Sequence, residues 1–206
     1  MVASTEGDRL GESGIAYRLL DGGAAGERDA DLLALADEVY GNAGDPEAAN
    51  QARARRARVW RRQPGFALAE ARHGGYLVGY ASGMPLRPST SWWRGLTTPL
   101  PPDVTAEHPG RTFALTELLV RASWRRQGIG RELYELLLGG RLEERATVTV
   151  PPGAGAAQAA FRSWGWRKVA RTRGDEAGPG ATDAPVLDVL VIDLPLPARG
   201  GDWWAG

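Results

Sequence analysis

Arg125-Arg126-Gln127-Gly128-Ile129-Gly130-Arg131 is the stretch whose residue types could hold an anion. It follows the apolar run Phe113–Val120 and precedes the helical pattern Glu132–Leu138. The order reads as strand, glycine-containing turn and helix. Such a turn can aim several backbone N–H groups at one point, and the helix N-terminus adds about half a positive charge there. Gly128 and Gly130 carry no Cβ, so a ligand can approach the backbone closely. Arg125, Arg126 and Arg131 surround the same point with formal positive charge. Glu117 is the second residue of interest, a carboxylate inside an otherwise apolar strand pattern. Burial there would raise its pKa towards the range useful for a general base.

The elements that must position these groups follow from the rest of the chain. Residues 1–14 show no periodicity and are expected to be a flexible segment. Ile15–Leu20 reads as the first strand, stopped by Asp21-Gly22-Gly23. Asp29 could cap a helix over Ala30–Tyr40, with Leu32, Leu35, Ala36 and Val39 on one face. Asp45-Pro46 opens a second helix to about Gln63. That helix carries six arginines between Arg53 and Arg62; the pattern reads mainly as a solvated face, with Ala49, Ala52, Val59 and Trp60 turned inward. Phe66–Glu70 and Tyr76–Ala81 form a hairpin through Gly74-Gly75. Residues 84–111 form a long proline-rich loop holding Trp92 and Trp93, which either line a substrate pocket or bury the loop. After the phosphate turn and its helix (about 129–142) come a strand at Ala146–Val150, a helix at Ala154–Trp164, and strands at Trp166–Arg171 and Val186–Asp193.

Composition narrows the function classes. The chain has 206 residues, enough for one domain with tails, expected as a single domain over 15–197 and a tail over 198–206 carrying Trp203 and Trp204. Lys+Arg and Asp+Glu are both 25, so net charge argues for neither nucleic acid nor a membrane surface. The absence of cysteine excludes disulfides, thiolate metal sites and a cysteine nucleophile. With only two histidines besides, no metal site is expected. No apolar run approaches the ~18 residues of a membrane span, and the N-terminus lacks the pattern of a secretory signal. A cytoplasmic location is the expectation.

The turn Arg125–Gly130 resembles motif A of the GNAT (Gcn5-related N-acetyltransferase) superfamily, whose pattern is Arg/Gln-x-x-Gly-x-Gly/Ala. The downstream segment Ala160-Phe-Arg-Ser-Trp-Gly-Trp166 and the order of elements fit the same family. The resemblance implies an α/β (α+β) GNAT fold. Its central sheet is mixed, mostly antiparallel and seven-stranded, with splayed parallel strands four and five and about four flanking helices. It implies acetyl-CoA as cosubstrate and transfer of its acetyl group to a primary amine of a small molecule by direct attack. It places Leu118, Leu119 and Val120 alongside the pantetheine and Arg125, Arg126, Gln127, Gly128, Ile129, Gly130 and Arg131 on the pyrophosphate. Val120 or Leu119 would supply the oxyanion N–H, and Glu117 the base, with Thr116 and Thr149 available to order a water. Trp92 and Trp93 would lie on the acceptor side. The homodimer is a common form in the family.

Two positions depart from the family pattern. Phe161 stands where many members carry the tyrosine that protonates the thiolate, and Ala154 where many carry an asparagine that contacts CoA. Ser123, Ser163 and Tyr134 remain as other proton donors. Two alternatives therefore stay open. One is another acyl donor, aminoacyl-tRNA or a longer acyl-CoA; the other is a ligand-binding relative without turnover.

Overall fold

The computed structural model describes residues 9–10, 14–41, 46–173 and 185–196. The elements in chain order are β1 (Arg9–Leu10), β2 (Ile15–Leu20), α1 (Gly22–Gly26), α2 (Asp29–Tyr40), α3 (Pro46–Arg61), β3 (Ala67–His73) and β4 (Tyr76–Pro85). They continue with α4 (Pro102–Thr105), β5 (Thr112–Val120), α5 (Ile129–Leu138), β6 (Arg145–Val150), α6 (Gly155–Ser163), β7 (Arg167–Arg173) and β8 (Val186–Asp193). The strand order is β1-β2-β3-β4-β5-β6-β8-β7. Among the described residues, β5 and β6 form the parallel pair, in register over Thr112↔Arg145, Phe113↔Ala146 and Ala114↔Thr147. The mixed sheet with flanking helices is the expected α/β fold. The two-residue β1 precedes it, so the anticipated strands four and five are β5 and β6.

The chain divides into two compact units. The first comprises the chain through Met84 together with Leu115–Gly140, and the second Pro85–Ala114 together with the chain from Arg141. In the first, β1 to β4 are antiparallel neighbours. The β3–β4 hairpin closes through Gly74 and Gly75, with φ of +53° and +85°. Two consecutive left-handed residues match the twist of paired strands and are strained for residues with a Cβ. Leu68, Leu77 and Tyr80 of β3 and β4, with Phe66 just before β3 and Leu119 of β5, pack with Ala25, Leu32, Leu35 and Ala36 of α1 and α2. Leu133 of α5 lies on Gly79, where an added Cβ would come within 2.9 Å of the Leu119 carbonyl and 3.1 Å of the Leu133 side chain. Only glycine lets β4, β5 and α5 come this close. The buried Arg121 ends β5: its N–H donates to Val78 O (2.9 Å), its Nε donates to Leu77 O (2.8 Å), and its guanidinium pairs with Glu38.

The inner face of α3 differs from the sequence reading. Ala52 is exposed and Val59 is 58% exposed, while Arg53, Ala54, Ala57, Trp60 and Arg61 are half-buried. The spacing 53, 57, 60/61 is a proper helical stripe. It escaped hydrophobicity reasoning because two of its members are arginines whose stems cover apolar surface while their heads find acids. Arg53 pairs with Asp37 at 2.8 Å and Arg61 with Asp29 at 2.6 Å, tying α3 to α2. The short helices α1 and α4 were also not foreseen. Gly22 and Gly23 read as a stop, yet Asp21 accepts from Ala24 N at 2.9 Å and starts α1. Helix α5 ends at Leu138, short of the expected residue 142, at Gly139-Gly140.

In the second unit the loop before β5 packs on its own sheet. Leu86, Trp93, Ala114, Ala170, Val189 and Val191 form the core there, with Trp92, Leu96 and Leu100 against it. No helix among the described residues is long and apolar enough to cross a membrane. Trp203 and Trp204 lie outside the described residues.

Candidate functional site

The Arg125–Arg131 turn has the geometry its composition suggested. A 3-10 turn at Ala122–Trp124 leads into Arg125 in an extended conformation, Arg126 at φ +64° and Gly128 at φ +82°. Gly128 is the N-cap of α5, and nothing lies within 4 Å of where its Cβ would stand. Glycine is required there by the backbone and not by crowding. Arg126 takes up a left-handed conformation without that freedom, a local strain of about 1–3 kcal/mol. Among the described residues, no acceptor is bonded to the N–H groups of Arg126, Gln127, Gly128, Ile129 or Gly130. These donors precede a helix N-terminus, the arrangement that suits phosphate oxygens. Arg125 Nε donates to the Val120 carbonyl at 2.9 Å and Gln127 Nε2 to Ser123 O at 3.2 Å, which fixes the turn to the end of β5. Arg131 pairs with Glu135 at 2.7 Å, one turn further along α5.

Glu117 lies on β5, facing α2 and α3 across a cleft. The cleft is open at its mouth and encloses about 30 Å³ beneath it. Its walls are Leu32, Leu33 and Ala36 of α2, Ala54, Ala57 and Trp60 of α3, and Phe66, Leu68 and Tyr80. Polar groups at the cleft are Asp29, Arg53, Arg61, Ser82 and Glu117. Tyr80 on β4 donates its hydroxyl to Glu117 Oε2. No donor among the described residues is bonded to Oε1. Ser82 and Thr116 share a hydroxyl contact at 3.0 Å beside this pair. Burial pushes the Glu117 carboxyl up from its ordinary value. The Tyr80 hydrogen bond and the charges of Arg53 and Arg56 act against that rise without cancelling it. Tyr80 itself is held well above the usual tyrosine range, first by burial and then by the Glu117 charge. A carboxylate with a raised pKa, one free oxygen and a single neutral donor can accept a proton from a bound amine.

The other residues marked in the sequence have separate places. Trp93 is buried, donates to Glu107 Oε1 at 2.8 Å and sits under the Arg145 guanidinium at 5.2 Å. Trp92 donates to Thr147 Oγ1 at 3.3 Å. Both indoles have packing partners in the second unit, and Trp93 also lines an open cavity there with Arg94 and Leu96. Phe161 meets Trp164 and Trp166 edge to face at 5.5 and 5.2 Å and is a core residue of α6. Ser163 donates to Ala160 O at 2.8 Å, within its own helix. Sequence reasoning missed Tyr80, whose signal was a hydroxyl inside an apolar strand, and the cleft face of α3.

The comparisons with known proteins agree with the fold. The model of the Acetyltransferase (GNAT) family matches residues 31–166. No curated protein sequence matches the chain. Among solved structures, the ribosomal-protein-S18-alanine N-acetyltransferase from Escherichia coli is similar at 12% identity and a TM-score of 0.57, covering 92% of this chain and 99% of that one. The PaiA N-acetyltransferase from Thermoplasma acidophilum, in complex with coenzyme A, has 11% identity and a TM-score of 0.56 over 87% of this chain and 98% of its own. An acetyltransferase from Thermus thermophilus has 17% identity and a TM-score of 0.56 over 87% and 97%.

Proposed function

Because the chain belongs to the acetyltransferase (GNAT) family, we propose that it transfers an acetyl group from acetyl-CoA to a primary amine of a small molecule, with Glu117 as the base. The observation that carries this reading is Glu117 on β5, its Oε2 bonded to Tyr80 and its other oxygen without a donor among the described residues at an apolar cleft. The coenzyme A complex of the Thermoplasma relative supports the choice of donor.

The turn fits a pyrophosphate. Its N–H groups from Arg126 to Gly130, without an acceptor among the described residues, precede a helix, and Gly128 offers no Cβ to obstruct them. Arg125, Arg126 and Arg131 supply the countercharge, and Gln127 and Ile129 contribute backbone. Leu118, Leu119 and Val120 run alongside the pantetheine and offer backbone groups to its amides. The parallel register ends at Ala114↔Thr147, and β5 continues to Val120, which leaves strand backbone to be satisfied.

When bound, acetyl-CoA supplies an acyl carbon already activated as a thioester. The protein's part is to place the amine, take its proton and meet the developing oxyanion. An alkylamine has a pKa near ~10.4, so it arrives as ammonium. The free oxygen of Glu117 receives the proton, directly or through a water held near Thr116. The amine nitrogen then bonds to the acyl carbon, the carbon–sulfur bond breaks with its electron pair leaving on the sulfur, and the nitrogen gives its second excess proton to water. The Val120 N–H would meet the developing oxyanion. Phe161 has no proton to give, so water protonates the thiolate.

Three of the six arginines at α3 are engaged within the protein, which leaves Arg55, Arg58 and Arg62 exposed and weakens the case for an RNA-linked donor. Arg53 and Arg61 are tied to Asp37 and Asp29, and Arg56 lies over Trp60 at 5.5 Å. Calorimetry with acetyl-CoA tests the donor, beside Gly128→Pro, whose ring cannot adopt φ +82°. The expected result is binding by the native chain and at least about tenfold weaker binding by the variant, a loss of ~1.4 kcal/mol or more. Absence of binding by the native chain overturns the reading. Binding without thiol release across a broad set of amines would make this a binding protein.

A further inference from the structure

The cleft between α2, α3 and the strands says what kind of amine would fit. Its walls are aliphatic or aromatic at Leu32, Leu33, Ala57, Trp60, Phe66 and Tyr80. Its charges are unevenly committed. Asp29 is bound to Arg61 at 2.6 Å, and Arg53 to Asp37 at 2.8 Å, also lying over the Tyr40 ring at 4.7 Å. Glu117 is the one cleft acid whose partner among the described residues is neutral, the Tyr80 hydroxyl.

We infer that the acceptor is a monoamine with an apolar body, aromatic or branched aliphatic. Its ammonium meets Glu117 and its hydrocarbon lies among Trp60, Phe66 and the α2 leucines. This rests on the acyltransfer reading for its place at the active carboxylate, and it goes further by naming the acceptor's chemistry. One ammonium finds one uncommitted carboxylate. A second ammonium in the same cleft would face two arginines and an aspartate already neutralised, so its desolvation would go uncompensated. A polyamine or an amino sugar is therefore disfavoured. A strongly hydrated body is disfavoured too, because the walls offer it few hydrogen bonds. Trp92 and Trp93 are not needed for this site, since their indole N–H groups are already bonded in the second unit.

The test uses the whole chain and two independent readouts. The first is calorimetric binding of a linear amine series from propylamine to hexylamine, with 2-phenylethylamine and spermidine. The second is thiol release with saturating acetyl-CoA and the same amines, with a short peptide added. Affinity should rise about two- to fourfold per methylene, the gain from burying each CH₂. 2-Phenylethylamine should bind at least about tenfold more tightly than spermidine. Ala57→Phe, which fills the cleft from α3, should abolish binding of 2-phenylethylamine and leave acetyl-CoA binding intact. If that variant does not fold, Ala54→Leu serves in its place, and the chain-length series needs no variant at all. A flat series, or preference for spermidine or the peptide, overturns the inference while turnover keeps the acyltransfer reading standing. Failure of acetyl-CoA to bind overturns that reading instead, and the amine series still decides the chemistry of the cleft.

Discussion

Glu117 and Glu107 are both glutamates enclosed by protein, one in each unit, and their surroundings could hardly differ more. The Glu107 side chain is fully buried, and its Oε1 accepts from Trp93 Nε1 at 2.8 Å, Thr112 Oγ1 at 2.9 Å and Arg145 at 3.0 Å. Glu117 has a tyrosine hydroxyl on one oxygen and a cleft beside it. A carboxylate with one oxygen held by a guanidinium and two further donors organises a loop. One held by a single neutral donor in a site of low polarity can exchange a proton. The contrast teaches that burial alone does not mark a candidate base. The kind and number of its donors do.

Four substitutions would break or sharpen that contrast. Glu117→Gln should lower kcat by about 10²- to 10⁴-fold, read by thiol release, with acetyl-CoA affinity unchanged. It should also remove a pH dependence of stability. Burial raises the folded pKa of Glu117, so its contribution is fully present below the unfolded value and is lost as pH rises through the folded one. The native Tm should therefore decline across that window, and the variant's should not.

Glu107→Gln should do the opposite. Removing one partner of a buried ion pair costs about 3 kcal/mol, seen as a fall in Tm of roughly 6–12 °C. The pH dependence of kcat should not move. A shifted acid limb in this variant would erase the distinction between the two glutamates.

Tyr80→Phe should have a smaller effect, about tenfold in kcat near neutrality. It removes a hydrogen bond that favours the charged carboxylate, so the Glu117 pKa rises further and the acid limb of kcat moves to higher pH. Raising the assay pH should restore most of the lost rate, which would not follow if Tyr80 served packing alone. Phe161→Tyr should change kcat least, less than about threefold, because this ring is packed between Trp164 and Trp166 and catalysis already proceeds without a proton there.

The sequence made some of this visible and hid the rest for definable reasons. The turn at Arg125–Arg131 was readable because a positive φ at Gly128 is a local requirement, written in one residue type. Glu117 was readable because a charge interrupts an apolar run. Val186–Asp193 was readable to the residue because its apolar pattern, interrupted at Asp188, is bounded by loop signals at both ends. Tyr80 was readable as a strand residue, but its partner is thirty-seven positions away and could not be found by spacing. The same limit explains α3. Its inward arginines answer to aspartates on α2, so the buried face depends on contacts that hydropathy does not encode. The two tryptophans in the long loop promised either a pocket or a core. Only the positions of Glu107 and Thr147 show what their N–H groups meet.

The unbonded amides from Arg126 to Gly130 also make the turn a reporter on its own occupancy. An amide without an acceptor exchanges its hydrogen with solvent quickly, while those inside β5 and α5 wait for local opening. Deuterium uptake at these five amides should be fast in the free chain and slow once phosphate oxygens occupy the turn. Because the signal is read from the backbone, it registers a bound donor whether or not any acceptor is present.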